Sequence, residues 1–277
     1  MNNILALDPI FIEIGPFVIR WYAVFILIGA ALAYYLSRRF FKKANYNPEI
    51  VDNMFLICFP MGIIGARIWF VLSNIPYYQD VGFQHIFFLW DGGLAIQGGV
   101  VLGALSGLWY LKKYHKEVSI LHAFDLIVPN ILVAQSIGRW GNFMNQEVYG
   151  ACVSRDSLWF LPNFILDQMS VCGTSGKVAQ PLFLYESLLT LTAFIVISLI
   201  LRKYWTSRKV GYLGSLYFIA YGVIRGPLEL LRDPTYIMTI FGIPTSVITS
   251  IAYVILGICL LVFCYKVSKK KESKEGE

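Results

Sequence analysis

Seven apolar runs, each long enough to cross a bilayer, set the rhythm of the chain: Phe17–Leu36, Val51–Val71, Leu94–Leu111, Leu121–Ile137, Leu182–Leu201, Leu213–Leu231 and Pro244–Tyr265. The pattern predicts an all-α, polytopic membrane protein of seven transmembrane helices, forming a single integral domain over residues 1–277. Acidic and polar residues precede the first run, with no basic stretch and no small-residue cleavage site, so it reads as a retained helix and not a signal peptide.

The lysines and arginines outside the runs decide orientation. They fall at Arg38, Arg39, Lys42 and Lys43, at Lys112, Lys113 and Lys116, at Arg202, Lys203, Arg208 and Lys209, and in the tail from Lys266 to Lys274. These are alternate connections plus the tail, whereas the remaining loops hold only Arg155 and Lys177 besides Arg139 and Arg232 at the ends of the apolar runs. Basic loops stay on the cytoplasmic side, which predicts an N-terminus outside and a cytoplasmic C-terminus.

Composition sharpens this reading. With 57% hydrophobic residues, 14% charged residues and a mean hydropathy of +0.62, the chain is unlike a soluble domain. Its net charge of +6 resides in short clusters between apolar runs, where anionic headgroups and topology account for it, and no basic patch with interleaved aromatics points to nucleic acid. The histidines at 85, 115 and 122 are isolated and no cysteines have metal-ligand spacing, which argues against metal chemistry. The chain lacks a GxSxG elbow, an HExxH motif and a convincing pair of intramembrane aspartates, so esterase, metalloprotease and aspartyl protease readings lose support.

Polar residues inside or beside the runs are the informative exceptions, because an ionisable group in the bilayer needs a partner or a function. Arg20 and Tyr22 open the first run, Arg67 lies near the end of the second, Gln97 begins the third, Arg139 follows the fourth and Glu186 opens the fifth. In the sixth, Tyr221, Arg225, Glu229 and Arg232 share one helical face. On the predicted topology all of these lie towards the outer leaflet. Arg20 and Arg67 have an alternative as snorkelling anchors, and Glu186 and Glu229 as counter-ions for arginines. Arg139 and Arg225 on separate helices suit a phosphate clamp, since guanidinium is planar, forked and permanently charged; a structural ion pair is the alternative.

The segment Ile137 to Gly150 gathers Arg139, Asn142, Asn145 and Glu147 among glycines. The outer loop it opens, residues 142–181, carries Cys152 and Cys172; an oxidising exterior allows a disulfide, and two free thiols are the alternative. Cys58, Cys259 and Cys264 read as small core hydrophobes.

Gly138-Arg139-Trp140-Gly141-Asn142-Phe143-Met144-Asn145-Gln146-Glu147, followed by Gly150, resembles the signature of the prolipoprotein diacylglyceryl transferase family. Further blocks are similar to that family's in the same order. They are Arg20-Trp21-Tyr22, Gly65-Ala66-Arg67, the run from Trp90 to Gly99, Gln180-Pro181 with Tyr185-Glu186, and Tyr221-Gly222 with Arg225, Glu229 and Arg232. The resemblance implies a bacterial cytoplasmic (inner) membrane enzyme without cofactor. Such an enzyme transfers the diacylglyceryl group of phosphatidylglycerol to the lipobox cysteine of a prolipoprotein, forming a thioether and releasing glycerol phosphate. Its partners are phosphatidylglycerol, prolipoprotein signal peptides and membrane lipids; oligomeric state stays open.

On this resemblance Arg139 and Arg225 are the catalytic candidates, stabilising charge on the departing phosphate. Tyr22, Asn142, Asn145 and Tyr221 supply donors to phosphate or glycerol oxygens, and Glu147 and Glu229 hold the arginines. Arg67, Gln97 and Arg232 complete the substrate-binding set. A membrane transporter is the main alternative, but the sequence has no internal repeat, and Asp125 is nearly alone in the cytoplasmic half. A structural assembly factor leaves the arginines unexplained.

Some family members have histidine where this chain has Gln97, and glutamine cannot act as a general base. Activation of the thiol then falls to Tyr22 or Glu147, or to an arginine field that lowers the thiol pKa; we favour the field. Gln97→Ala should keep nearly the full transfer rate while Arg139→Ala loses it, and initial rates with a lipobox peptide check both. The reverse pattern would contradict a field-activated thiol.

Overall fold

The computed structural model describes residues 7–15, 17–88, 92–204, 210–233, 237, 239–240 and 242–275. Arg208 and Lys209 of the basic segments, and Trp90 and Asp91 of the family-like run, lie outside these residues. The protein is mostly helical, and among the described residues five helical stretches are long and apolar enough to cross a membrane: Trp21–Lys43, Glu49–Ser73, Ile120–Asn145, Leu182–Tyr204 and Thr245–Lys269. The chain separates into two compact units, residues 1–36 with 124–277 and residues 37–123.

In the first unit the opening apolar run does not begin as a helix. Phe17–Arg20 (β2) pairs antiparallel with Ile10–Ile14 (β1), and only at Trp21 does helix α1 (Trp21–Lys43) start. β-branched and aromatic residues on both sides of Gly15 favour that hairpin over a longer helix. α5 (Ile120–Ile127) leads through a 3-10 turn at Val128–Asn130, where Pro129 lacks an N–H, into α6 (Ile131–Asn145). The helix thus extends eight residues beyond the apolar run that predicted it, carrying Arg139, Asn142 and Asn145 on its last turns.

After the outer loop, α8 (Leu182–Phe194) continues through a π-helical stretch, Ile195–Leu201, into the single turn α9 (Arg202–Tyr204). α10 (Tyr212–Leu230) and α11 (Thr245–Glu275) complete the unit, preceding and following a short β5–β6 pair (Thr239–Ile240 with Ile243–Pro244) as the chain runs. Leu132 and Val133 of α6, Phe194 and Ile197, and Leu213 and Tyr217 of α10 form the core between these helices.

Asp125 sets the start of α10. One carboxylate oxygen accepts from the Gly211 N–H at 2.6 Å and the other from Gly214 at 2.8 Å, while Arg202 donates to the Asp125 carbonyl at 2.9 Å. A carboxylate there satisfies the orphan amides and faces the positive end of the helix dipole. The polar residue that stood alone in the sequence is thus a cap supplied from 86 positions away.

The outer loop is a small folded body. Phe143, Leu158, Ile165, Leu166, Met169, Val178 and Phe183 are its core, with α7 (Asn163–Gln168) lying between β3 (Cys152–Ser154) and β4 (Lys177–Ala179), which pair antiparallel. Cys152 and Cys172 form a disulfide across Cα atoms 6.0 Å apart, resolving the choice the sequence left open. A backbone bond from Gly150 to Gln180 closes the loop on itself, and one from Ala151 to Leu231 ties it to the end of α10.

In the second unit, α2 (Glu49–Ser73) packs on α4 (Ile96–Tyr114), with α3 (Ile75–Val81) following α2. The two long helices approach so closely that backbone meets backbone: Gly65 and Gly98 face one another, and a side chain on either would collide with the other's carbonyl. Such small-residue seams let apolar helices gain dispersion contacts where lipid offers no hydrophobic drive.

Candidate active site

Glu186 is the hub. It lies in the first turns of α8 with a side chain only 2% exposed, and a carboxylate so placed costs several kcal/mol unless it is paired. Both oxygens are engaged. Arg139 of α6 donates from Nη2 to Oε1 at 2.6 Å, and Arg225 of α10 donates from Nη1 to Oε2 at 3.1 Å. Three helices therefore converge on one carboxylate.

The network continues along α10. Arg225 Nη2 lies 2.9 Å from Oε2 of Glu229, an ion contact without hydrogen-bond alignment, and Arg232 Nη1 lies 3.4 Å from Glu229 Oε1. These contacts realise the shared face that the sequence spacing predicted. Tyr221, one turn before Arg225, interacts with both Arg139 and Arg225.

On the α6 side, Arg139 Nη1 donates to Asn142 Oδ1 at 3.3 Å, and Asn142 Nδ2 donates to Glu147 Oε1 at 2.9 Å, which also accepts from Asn145 Nδ2 at 3.3 Å. The backbone bends sharply to return Glu147 to that position. Gln146 takes a left-handed conformation as the helix cap, and Val148 follows with φ of +58°. A β-branched residue there is strained by about 1–3 kcal/mol, and the turn is held by bonds from Glu147 N to Asn142 O and from Gln146 Nε2 to Gln168 O. Nothing in the sequence signalled the bracing by Gln146 and Gln168.

Tyr22 joins the same region through packing. A Cβ on Gly141 would lie 2.6 Å from Tyr22 Cδ2, so only glycine lets the start of α1 seat against α6. Arg20, at the end of β2, is exposed.

The charges are distributed unequally. The carboxylates of Glu186 and Glu229 are 2% exposed while Arg139, Arg225 and Arg232 are 15–20% exposed. These two acids are sealed, whereas the arginines that pair with them keep part of their side chains exposed. Asn145 Oδ1 and Arg232 Nε are buried with no hydrogen-bond partner among the described residues. An acceptor and a donor so left are costly, by about 1–3 kcal/mol each, until a ligand completes them. The arrangement suits an anion carrying hydroxyl groups.

The second unit uses its candidates differently. Arg67 is buried and donates to the carbonyls of Ile86, Gly92, Gly93, His85 and Phe88. All five guanidinium donors thus organise the loop before α4, a use the sequence did not anticipate. Gln97 lies exposed in the first turn of α4.

Removing the hub should cost more than removing an exposed acid. Glu186→Ala leaves two arginines uncompensated and is expected to lower stability by about 3–5 kcal/mol, whereas Glu147→Ala, on an exposed residue, should change it far less. Thermal unfolding midpoints in detergent compare the two.

The family model described as prolipoprotein diacylglyceryl transferase matches residues 9–263. Proteins named phosphatidylglycerol–prolipoprotein diacylglyceryl transferase from Streptococcus pneumoniae strains TIGR4 and JJA are each 41% identical over 258 residues, covering 93% of this chain and 94% of theirs. Because the matched residues run from β1 into α11 and include every helix that contributes to the arginine cluster, the chain belongs to the prolipoprotein diacylglyceryl transferase family.

Proposed function

We propose that this protein transfers the diacylglyceryl group of phosphatidylglycerol to the lipobox cysteine of prolipoproteins in the bacterial cytoplasmic membrane. The observation that carries this reading is the pair of arginines, Arg139 and Arg225, held towards one another by the sealed carboxylate of Glu186 with 20% and 15% of their side chains exposed.

The chemistry explains why such a site is useful. The cysteine sulfur, once deprotonated, attacks the glyceryl carbon that bears the phosphate; the C–S bond forms as the C–O bond breaks, and glycerol phosphate leaves with the electron pair. Negative charge grows on the phosphate as the bond breaks, so fixed cations there stabilise the transition state more than the ground state. Two arginines on separate helices supply that field without reorganisation, because Glu186 already orients them. Arg232, with Glu229 as its counter-ion, extends the field, while Asn142, Asn145, Tyr221 and Tyr22 supply bonds to phosphate and glycerol oxygens. Glu147 positions the two asparagines. The same field draws the thiol towards its thiolate form, which suits a chain with glutamine at position 97. No cofactor enters the reaction.

Seven crossings account best for the fold. Besides the five long apolar stretches, α4 and α10 have 19 residues each, about 28 Å of helix, close to the hydrocarbon thickness. With the alternate basic connections on the cytoplasmic side, the N-terminus lies outside, the ends of α6 and α10 face outward with the disulfide-bonded loop, and the site meets substrates at the outer leaflet as one integral membrane domain. Signal peptides bring the cysteine to that surface.

Purified protein incubated with phosphatidylglycerol and a lipobox peptide should add one diacylglyceryl unit to the peptide, dependent on its cysteine, with glycerol phosphate released. Arg139→Ala should reduce the rate by at least about 10²-fold. Absence of both products, where a known active transferase gives them, would contradict the proposal and turn attention to lipid transport.

A further inference from the structure

Gln135 lies on α6 one turn before Arg139, on the face that continues through Gly138 and Asn142. Its carboxamide has four hydrogen-bonding capacities. Only one is used: Nε2 bonds the Tyr217 hydroxyl at 3.2 Å, and Oε1 is buried without a partner among the described residues. Tyr217 stacks on Tyr221 with ring centroids 6.1 Å apart, and Tyr221 interacts with Arg139, so this amide adjoins the arginine cluster. The helix face beside it is open: a Cβ built on Gly138 would touch nothing within 4 Å.

Depth gives this amide a natural partner. Within the spanning stretch Ile120–Asn145, Gln135 is about 6 Å nearer the middle than Arg139, at 1.5 Å per residue. A phospholipid whose phosphate meets the arginines carries its two ester carbonyls a few bonds farther in, towards the membrane centre. Those carbonyls are acceptors only. Turning the carboxamide over, an isosteric change, lets the Tyr217 hydroxyl donate to Oε1 and turns Nε2 into a free donor, so the site gains one complete chain of bonds.

Resting on the transferase reading above, we propose that Gln135 is a specificity-determining residue that donates to an ester carbonyl of the diacylglyceryl group, with Tyr217 orienting its amide. The enzyme thereby recognises the acyl linkage as well as the headgroup. Wild-type protein prefers diester phosphatidylglycerol to the diether analogue, which has the same headgroup and chains but no carbonyls, by about tenfold in kcat/KM, the worth of one such bond made in a dry site. In Gln135→Leu and Gln135→Met the preference collapses towards unity, with the loss confined to the diester substrate.

The ratio of the two substrates within one preparation does not depend on how much of the variant is folded, so a poorly stable variant still reports. A wild type that uses both lipids equally overturns the proposal, as do variants that keep the preference or lose both activities in proportion. Failure of wild type to transfer from either lipid would instead overturn the transferase reading itself.

Discussion

A carboxylate buried among apolar helices must be satisfied, and in this protein that constraint assembles the site. Glu186 joins α6 and α10 to α8 through one guanidinium on each of its oxygens. Removing either partner would leave charge in a low-dielectric interior, so the pairing ties the three helices to one another. The result is an asymmetry of burial: Glu186 and Glu229 are sealed, while the arginines paired with them stay partly exposed.

The same logic recurs wherever the chain places a polar group in an apolar surrounding. Asp125 is tolerated because the amides at the start of α10 need an acceptor, and Arg67 because five carbonyls of one loop need donors. Fully satisfied groups of this kind organise structure. Among the described residues the groups left partly unsatisfied, Asn145, Arg232 and Gln135 together with one oxygen of Glu229, lie around the arginines, where a lipid headgroup and its linkage would bring partners to the first three.

How much of this was legible in the sequence follows from the same physics. The long apolar runs announced the spanning helices, since length and hydropathy alone decide them. Charges interrupting those runs announced Arg139, Glu186, Arg225 and Glu229, and helical spacing placed three of the α10 residues on one face. The family-like blocks then named the chemistry. Pairing was not legible: that Glu186 holds both arginines depends on how α6, α8 and α10 pack. Nor were the element ends. Phe17–Arg20 prefers a partner strand to helix, and α6 runs on through Gly138 and Gly141, beyond the apolar run that ended at Ile137, with Gly141 giving Tyr22 a seat. The strained turn at Gln146 and Val148 has no local signature, as strain at a site is sustained by distant contacts and not by propensity.

The central claim is that Arg139 and Arg225, held by one carboxylate, act as a single clamp on the departing phosphate. A double-mutant cycle tests it most directly, measuring kcat/KM for transfer in Arg139→Ala, Arg225→Ala and the combined variant. Groups that act as a unit lose their joint effect when either is removed, so the double variant should be little worse than the poorer single one. Losses that multiply in full would show two independent contributions and contradict the clamp.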